Sequence, residues 1–422
     1  MQSQPDSNSG LYNSAFNLTV LVAGLGYFID TFDFFLYNSM RVVSLTELGL
    51  TGYGLTKTGI FILNFQISGA LVGSFFWGIL GDRIGRKKAL LGSILIYSVF
   101  MIINGFVRDP VSYEIVRFLI GFGVAGEVGL GATLVAETVR SSKRTYALMF
   151  FTVMGVLGVV VAGTSLEFLP WRASCIIGGV IGLLLLTLRS VLFESRMFID
   201  TARKNAQRGS LRQLLGTFPN LRRYVLCVPL LGCNFFVTGV LLTLAPEIAI
   251  ATGVQGLIKA NVALAIYFSA AAFGDWLGAW LSDLLKSRKI VVAIFILGNM
   301  LLALLFLQKL SVDASAFYFL CAAFGLFNLW ALAGTILVEQ FPTELRATAS
   351  TSNINCSRAT VILMNLALLA FKPFGITTAL LIIGASVFAL ALFCIWQLPE
   401  SYGRSLDEDP QGSAPPAPIP GG

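Results

Sequence analysis

Histidine is absent from this chain of 422 residues. That removes the side chain that most often relays protons near neutral pH and the commonest metal ligand. Any proton chemistry here falls to carboxylates. Charge is scarce as well: Asp, Glu, Lys and Arg make up 12% of the residues, about half of the ~25% usual in a soluble domain. A soluble core of this size would lack the polar surface to cover it. The cysteines Cys175, Cys227, Cys233, Cys321, Cys356 and Cys394 lie in apolar stretches without CxxC spacing, and read as small buried hydrophobes. There is no nucleotide loop, metal-ligand array or nucleophile–base motif. No enzymatic activity, metal or cofactor is therefore expected. The first 15 residues are polar, lack basic residues and show no secretory cleavage pattern.

Apolar residues are what the chain has in excess: 56% are hydrophobic, and the mean hydropathy is +0.80. They come in long blocks rather than stripes. A membrane span needs about 20 mostly apolar residues, and backbone in lipid must satisfy its own hydrogen bonds, so the blocks read as helices. Twelve are predicted, at 16–40, 57–80, 89–107, 111–136, 145–167, 172–193, 222–247, 258–284, 290–308, 313–338, 347–370 and 374–397. The fold class is an all-α membrane protein. A tail (1–15) precedes a six-helix bundle (16–193), a basic linker (194–221), a second six-helix bundle (222–397) and a Pro/Gly-rich tail (398–422) expected to be largely disordered.

With both termini placed in the cytoplasm, nineteen Lys and Arg fall in cytoplasmic segments and seven in outer ones. The positive-inside rule favours that orientation. The net charge of +7 then reflects topology, and nucleic acid is not an expected partner. The lipid bilayer is, and nothing in the sequence demands more than a monomer.

The two halves repeat one pattern. GILGDRIGRKK, from Gly78 to Lys88, matches AWLSDLLKSRK, from Ala279 to Lys289, with Asp82 and Asp283 offset by 201. Glu137 stands seven before Arg144 as Glu339 does before Arg346, at an offset of 202. Glu194 and Glu400 are 206 apart. The chain reads as a duplicated six-helix unit, and such repeats hold a substrate site at their interface near the membrane midplane.

GDRIGRKK resembles the loop 2–3 signature of the major facilitator superfamily. RFLIGFGVAGE, opening at Arg117, is similar to helix 4 of its sugar-porter-like branch, and FPTELRAT and LPESYGRSL resemble that branch's later signatures. Together these motifs run through almost the whole chain. The branch holds sugar porters, phosphate and metabolite symporters, and organic-ion transporters. The short 41–57 connection favours a bacterial relative and an inner-membrane location. Gly155, Gly158 and Gly163 occur in helix 5 without the PxxGG of drug antiporters. The resemblance implies gating by two charge clusters: Asp82, Arg86, Glu137 and Arg144 in one half, Asp283, Arg288, Glu339 and Arg346 in the other. Exposed pairs of this kind are worth only about 0–1 kcal/mol each, which suits a switch between nearly balanced states. Loop anchoring is the plainer alternative.

A charge inside a bilayer costs about 2.5–3.5 kcal/mol or more and marks function by default. Asp30 and Asp33 are three apart in helix 1, which reads as one shared face. Arg117 and Glu127 lie in helix 4. The resemblance implies a proton-sensitive pair of Asp33 with Arg117, with Glu127 or Asp30 as a second proton site or substrate contact; a static pair is the alternative. Arg358 in helix 11 has no acid on its own helix and reads as a clamp for an anionic substrate, or else as a salt-bridge partner of Asp30, Glu127 or a group on another helix. Arg189 is expected to snorkel to the cytoplasmic surface. Asp275 is left between facing a water-filled gap and pairing with a neighbouring helix. Tyr37, Gln66, Asn234, Thr238, Tyr267, Asn328, Trp330 and Asn355 are candidate cavity groups, although most single polar residues in spans instead tie helices together. Asn234 is the repeat counterpart of Asp33.

The expected function is proton-coupled import of a small organic anion by alternating access. A phosphate, sugar or metal-ion transporter, a drug exporter, or a non-transporting sensor of the same fold are the competing readings.

Overall fold

The structure is a computed structural model that describes residues 18–139, 141–190, 211–308 and 312–402. Six long helices build the first half: α1 (Leu18–Glu47), α2 (Gly52–Ile84), α3 (Arg86–Asn104), α4 (Pro110–Thr138), α5 (Ser141–Phe168) and α6 (Trp171–Ser190). A short α7 (Leu211–Gly216) leads into α8 (Phe218–Phe236), α9 (Ala245–Thr252), α10 (Ala260–Leu285), α11 (Arg288–Phe306), α12 (Ala314–Leu326), α13 (Trp330–Glu339), α14 (Thr343–Phe371) and α15 (Ile376–Gln397). Among the described residues there is no sheet beyond one isolated bridge, Gln255 with Asp313. Ten helical stretches there are long and apolar enough to cross a membrane. Helices α4 and α5, at 29 and 28 residues, run beside them and complete the expected set.

Within the first half α2 packs on α4, α1 on α5, and α3 on α4 and α6. In the second, α10 packs on α12, and α8 on α14 and α15. The halves meet chiefly where α14 crosses α2 and α4, and where α10 crosses α5.

The repeat extends to close packing. A methyl group added at Gly73 would sit 2.2 Å from the Phe122 carbonyl oxygen; one added at Gly274, 201 positions later, would sit 2.3 Å from that of Gly325. Likewise Gly121 would strike the Gln66 carbonyl at 2.0 Å, and Gly325 that of Tyr267, the repeat counterpart of Gln66, at 2.3 Å. Small residues let helix backbones approach where lipid supplies no hydrophobic drive. The α2–α3 turn needs the positive φ of Gly85 (+108°), and its counterpart Lys286 takes φ +49°, a conformation that costs a non-glycine residue about 1–2 kcal/mol.

Two expected spans are interrupted. The seventh is α8, a π-helical turn at Val237–Leu241, and α9. In that turn Thr243 Oγ1 donates to the Thr238 carbonyl (3.0 Å) and Thr238 Oγ1 to that of Asn234 (3.1 Å). The tenth breaks between α12 and α13. There Asn299 Nδ2 donates to the Phe327 carbonyl at 2.8 Å, and the Asp275 carboxylate accepts from the Ala331 amide at 3.2 Å. Tertiary partners thus satisfy the backbone groups freed at the break, as lipid requires.

Candidate functional site

A cavity of about 80 Å³ lies between the halves, walled by α1, α2 and α5 on one side and by α8 with its π turn, α10, the α12–α13 break and α14 on the other. One water needs only ~10–15 Å³, so the space holds several waters or a small organic molecule. Helix α1 presents Tyr27, Asp30, Thr31 and Phe34 to it, an i, i+3, i+4, i+7 strip. The hydroxyl of Thr31 donates to the Gly155 carbonyl at 2.8 Å and ties α1 to α5.

Arg358 stands in this cavity, 8% exposed. Its guanidinium carbon lies 4.7 Å from the centre of the Phe34 ring and 5.7 Å from that of Phe235, one aromatic from each half. Nη1 donates to Asn355 Oδ1 at 3.4 Å, whereas Nε has no hydrogen-bond partner among the described residues. No carboxylate lies within 4.0 Å of it among the described residues, so the salt-bridge alternative is not what the structure holds. Aromatic faces return about 0.5–2 kcal/mol to such a cation, against several kcal/mol for desolvating it. The balance has to come from water or an anion in the cavity. Asp30, 1% exposed on the facing α1 wall, has no hydrogen-bond partner for either carboxylate oxygen among the described residues.

Asp33 does not share that wall. Three residues turn a helix by about 300°, so the two acids are offset by about 60°, and here that offset separates the cavity from α4. Asp33 faces Arg117 at 3.3 Å, with both side chains fully buried. Arg117 lies against the rings of Tyr37 (4.9 Å) and Tyr113 (5.8 Å). Glu127 is not a cavity group either. It binds Arg189 at 2.8 Å and accepts from Ser93 Oγ at 3.0 Å. The expectation that Arg189 snorkels is therefore wrong: it is 1% exposed and reaches inward across Gly26, where an added methyl would sit 1.5 Å from its Nη2. The missing side chain of Gly26 opens that path.

Of the candidate cavity groups, Asn234, Thr238, Asn328 and Trp330 line the space, and Tyr37, Gln66, Tyr267 and Asn355 do not. Tyr37 donates to the Gly59 carbonyl at 2.8 Å beside Arg117. Gln66 is buried on α2, on the strip where Gly121 of α4 packs, with no hydrogen-bond partner for its amide atoms among the described residues. Asn355 is turned to the Thr351 carbonyl and Arg358. The hydroxyl of Tyr267 lies 2.9 Å from Asn234 Oδ1 and 3.0 Å from Asn328 Oδ1, behind the wall. Sequence reasoning missed Tyr27, Thr31, Phe34 and Phe235; the helical strip through Asp30 marks the first three.

Contacts between the halves stand on both sides of the cavity. At the basic end Asp82 Oδ2 accepts from the Thr348 amide (2.9 Å) and hydroxyl (2.5 Å), joining α2 to α14, while Asp82 also meets Arg86 at 3.3 Å. At the other end the Phe35 and Phe268 rings meet edge-on at 5.0 Å, and Asn261 donates to the Gly163 carbonyl at 3.1 Å. In the second half Arg288 binds Glu339 at 2.7 Å, and Arg346 is buried. Asp283 departs from the expected cluster: it is exposed. Its place on the α11 terminus is taken by Glu400, which accepts from Ser287 Oγ and the Arg288 amide. Partial burial alone would raise the Glu400 carboxyl, but these bonds and those from the Tyr402 and Ser401 amides hold it below the usual range. The side chains of Glu137 and Arg144 lie outside the described residues.

Thr348→Val removes one hydrogen bond to a charged group, worth about 1.5–3 kcal/mol. It should shift the population toward opening at the basic end by roughly 10- to 100-fold. Faster maleimide labelling of a cysteine at Ala349, buried here, is the readout; an unchanged rate means that this contact does not hold the end closed.

A family model described as Major Facilitator Superfamily matches residues 23–363. A probable 4-methylmuconolactone transporter of Cupriavidus pinatubonensis is 27% identical, over 93% of this chain and 93% of its own. A putative niacin/nicotinamide transporter of Bacillus subtilis is 26% identical over 78% and 82%, and a sialic acid transporter of Escherichia coli 26% over 77% and 79%.

Proposed function

Because the chain belongs to the major facilitator superfamily, it is a multi-pass membrane transporter and no enzyme, and we propose that it carries a small organic carboxylate by proton symport with alternating access. The observation that carries this reading is Arg358, buried in the central cavity between Phe34 and Phe235 with no carboxylate within 4.0 Å among the described residues. A planar guanidinium offers a carboxylate two parallel hydrogen bonds. Its aromatic neighbours, with Tyr27 and Trp330 lining the same cavity from opposite halves, favour a flat ring next to that carboxylate. Relatives named for 4-methylmuconolactone, niacin and sialic acid support small organic metabolites as the class.

The proton is carried by carboxylates, since the chain has no histidine. Asp33 is the primary site: paired, it neutralises Arg117; protonated, it frees that pair and the α1–α4 contact. Asp30 is the second acid, next to the substrate. Glu127, held by Arg189, is assigned to structure. The excess of Lys and Arg at one end supports both termini in the cytoplasm and an inner-membrane location, with the protein acting as a monomer.

The test is thermal stabilisation of purified protein against carboxylates, phosphate, sugars, cations and divalent metals, followed by uptake into liposomes with and without an imposed proton gradient. The expected result is stabilisation by one class of ring-bearing carboxylate and accumulation that depends on the gradient. Stabilisation by a sugar or a cation alone would sink the anion reading, and accumulation indifferent to the gradient would sink the symport reading.

A further inference from the structure

Asp275 is a buried acid with no part in the symport scheme of Asp33 and Asp30. It lies in α10, 5% exposed. One carboxylate oxygen accepts from Asn328 Nδ2 at 3.0 Å and from the Ala331 amide at 3.2 Å; the other has no hydrogen-bond partner among the described residues. No Lys or Arg lies within 4.0 Å among the described residues. Among the described residues, the titratable groups near enough to interact with it are Tyr267 on its own helix and Tyr27 on α1, and α5, α9, α11, α12 and α13 bring no charged group to act on it. Its repeat counterpart is Ser74, so the acid belongs to the second half alone, as Asp33 belongs to the first.

Two opposed influences meet at this carboxylate. Its contact with the first turn of α13 favours the anion, because a helix start presents free amides and the positive end of the dipole. Burial at membrane depth without a cation favours the neutral acid. Such a group changes state when its hydrogen bonds change. The bond that can change is the one to Asn328, because Asn328 also lines the cavity.

Hydrogen-bond arithmetic makes the link specific. Tyr267 has one hydroxyl hydrogen, yet Asn234 Oδ1 and Asn328 Oδ1 both lie within 3.0 Å of its oxygen, so it serves one of them fully at a time. When Asp275 is ionised, Asn328 must turn its NH₂ toward it and its carbonyl oxygen toward Tyr267. When Asp275 is protonated, it donates in turn, and the Asn328 amide is free to reverse and accept. The cavity wall then presents a different set of donors and acceptors at Asn328 and Asn234. Amide orientation in this chain of contacts therefore reports the proton on Asp275.

We propose that Asp275 is a second proton-binding site, in the half opposite to Asp33, and that it reads the cavity through Asn328 and Tyr267. The proposal rests on the transporter reading but on no particular substrate.

The test is infrared difference spectroscopy of purified protein stepped through pH without substrate. In the wild type an aspartic-acid carbonyl band should titrate that is missing in Asp275→Asn, a variant that keeps an acceptor for the Ala331 amide. Asp275→Glu, which retains the carboxyl and moves its band to that of a glutamic acid, gives the same assignment if the Asn variant does not fold. In Asn328→Ala the anion loses a hydrogen bond, so the midpoint of the band should rise by about 1–2 pH units. Absence of any band assignable to residue 275 overturns the proton site, and a midpoint indifferent to Asn328→Ala overturns its link to the cavity. These spectra need no transported solute, so a failure to find carboxylate uptake leaves them readable and counts only against carboxylate symport.

Discussion

Arg358→Ala is expected to abolish stabilisation by the transported carboxylate and to weaken its binding by about 30-fold or more, the equivalent of the roughly 2–5 kcal/mol lost when one partner of a buried, hydrogen-bonded charge pair is truncated. The fold should survive the change. Among the described residues Arg358 has no salt bridge to leave broken, and its contacts there include the Phe34 and Phe235 rings and the Asn355 amide oxygen. Removing an unpaired buried cation relieves a desolvation cost even as it opens a void. The empty protein should therefore unfold within a few degrees of the wild type, whereas the ligand-induced rise in Tm disappears. Arg358→Lys separates charge from geometry. An ammonium keeps the charge but loses the planar fork and the stacked seat between two rings, so binding should stay weak. Full recovery by lysine would show that only charge is read there. Binding that survives Arg358→Ala would move the substrate away from this residue altogether.

The reason Arg358 can be picked out of a bare sequence is energetic. Charges are so costly in lipid that Asp30, Asp33, Arg117, Glu127 and Arg358 stand out against their surroundings. Their partners do not. Phe34 and Phe235 are two of 34 phenylalanines, and nothing local distinguishes a ring that holds a guanidinium from one that faces lipid. The Glu127–Arg189 pair spans two helices through a gap left by Gly26. In sequence Gly26 looks no different from Gly73 or Gly121, which only let two helix backbones close on each other. The spans themselves follow from hydropathy and the repeat, because lipid enforces both. The break in the tenth span is hidden, since the groups that sustain it come from elsewhere: Asn299 and Asp275 act on α12 and α13 from neighbouring helices. The π turn of the seventh is bonded by its own Thr238 and Thr243, residues that look like any other polar pair in a span. Likewise the repeat in sequence matches one charge cluster to the other, and the family resemblance makes them a gate, but Asp82 reaches across to Thr348 while Asp283 lies exposed. Sequence symmetry reports ancestry, and the partner each acid finds depends on how the halves meet.

Asp33→Asn is expected to eliminate accumulation driven by a proton gradient while exchange of labelled for unlabelled substrate continues at a measurable rate. The side chain is fully buried at 3.3 Å from Arg117, and asparagine holds the shape and a hydrogen-bond acceptor while removing the site where a proton can bind. The variant is thus fixed in the electrical state of the protonated carrier. It can still turn over with substrate on board, but it cannot use the gradient. The cost is an uncompensated Arg117, up to about 3–5 kcal/mol when a buried pair is broken, so a lower Tm is expected as well and does not by itself distinguish coupling from scaffolding. The double variant Asp33→Asn/Arg117→Gln does. Replacing both partners removes the stranded charge and should restore much of the stability, since a buried pair is often no better than its neutral replacement. If the pair only holds α1 to α4, this neutral version should regain accumulation along with stability. If Asp33 carries the proton, the double variant should fold well, exchange substrate and still fail to accumulate it at any imposed gradient.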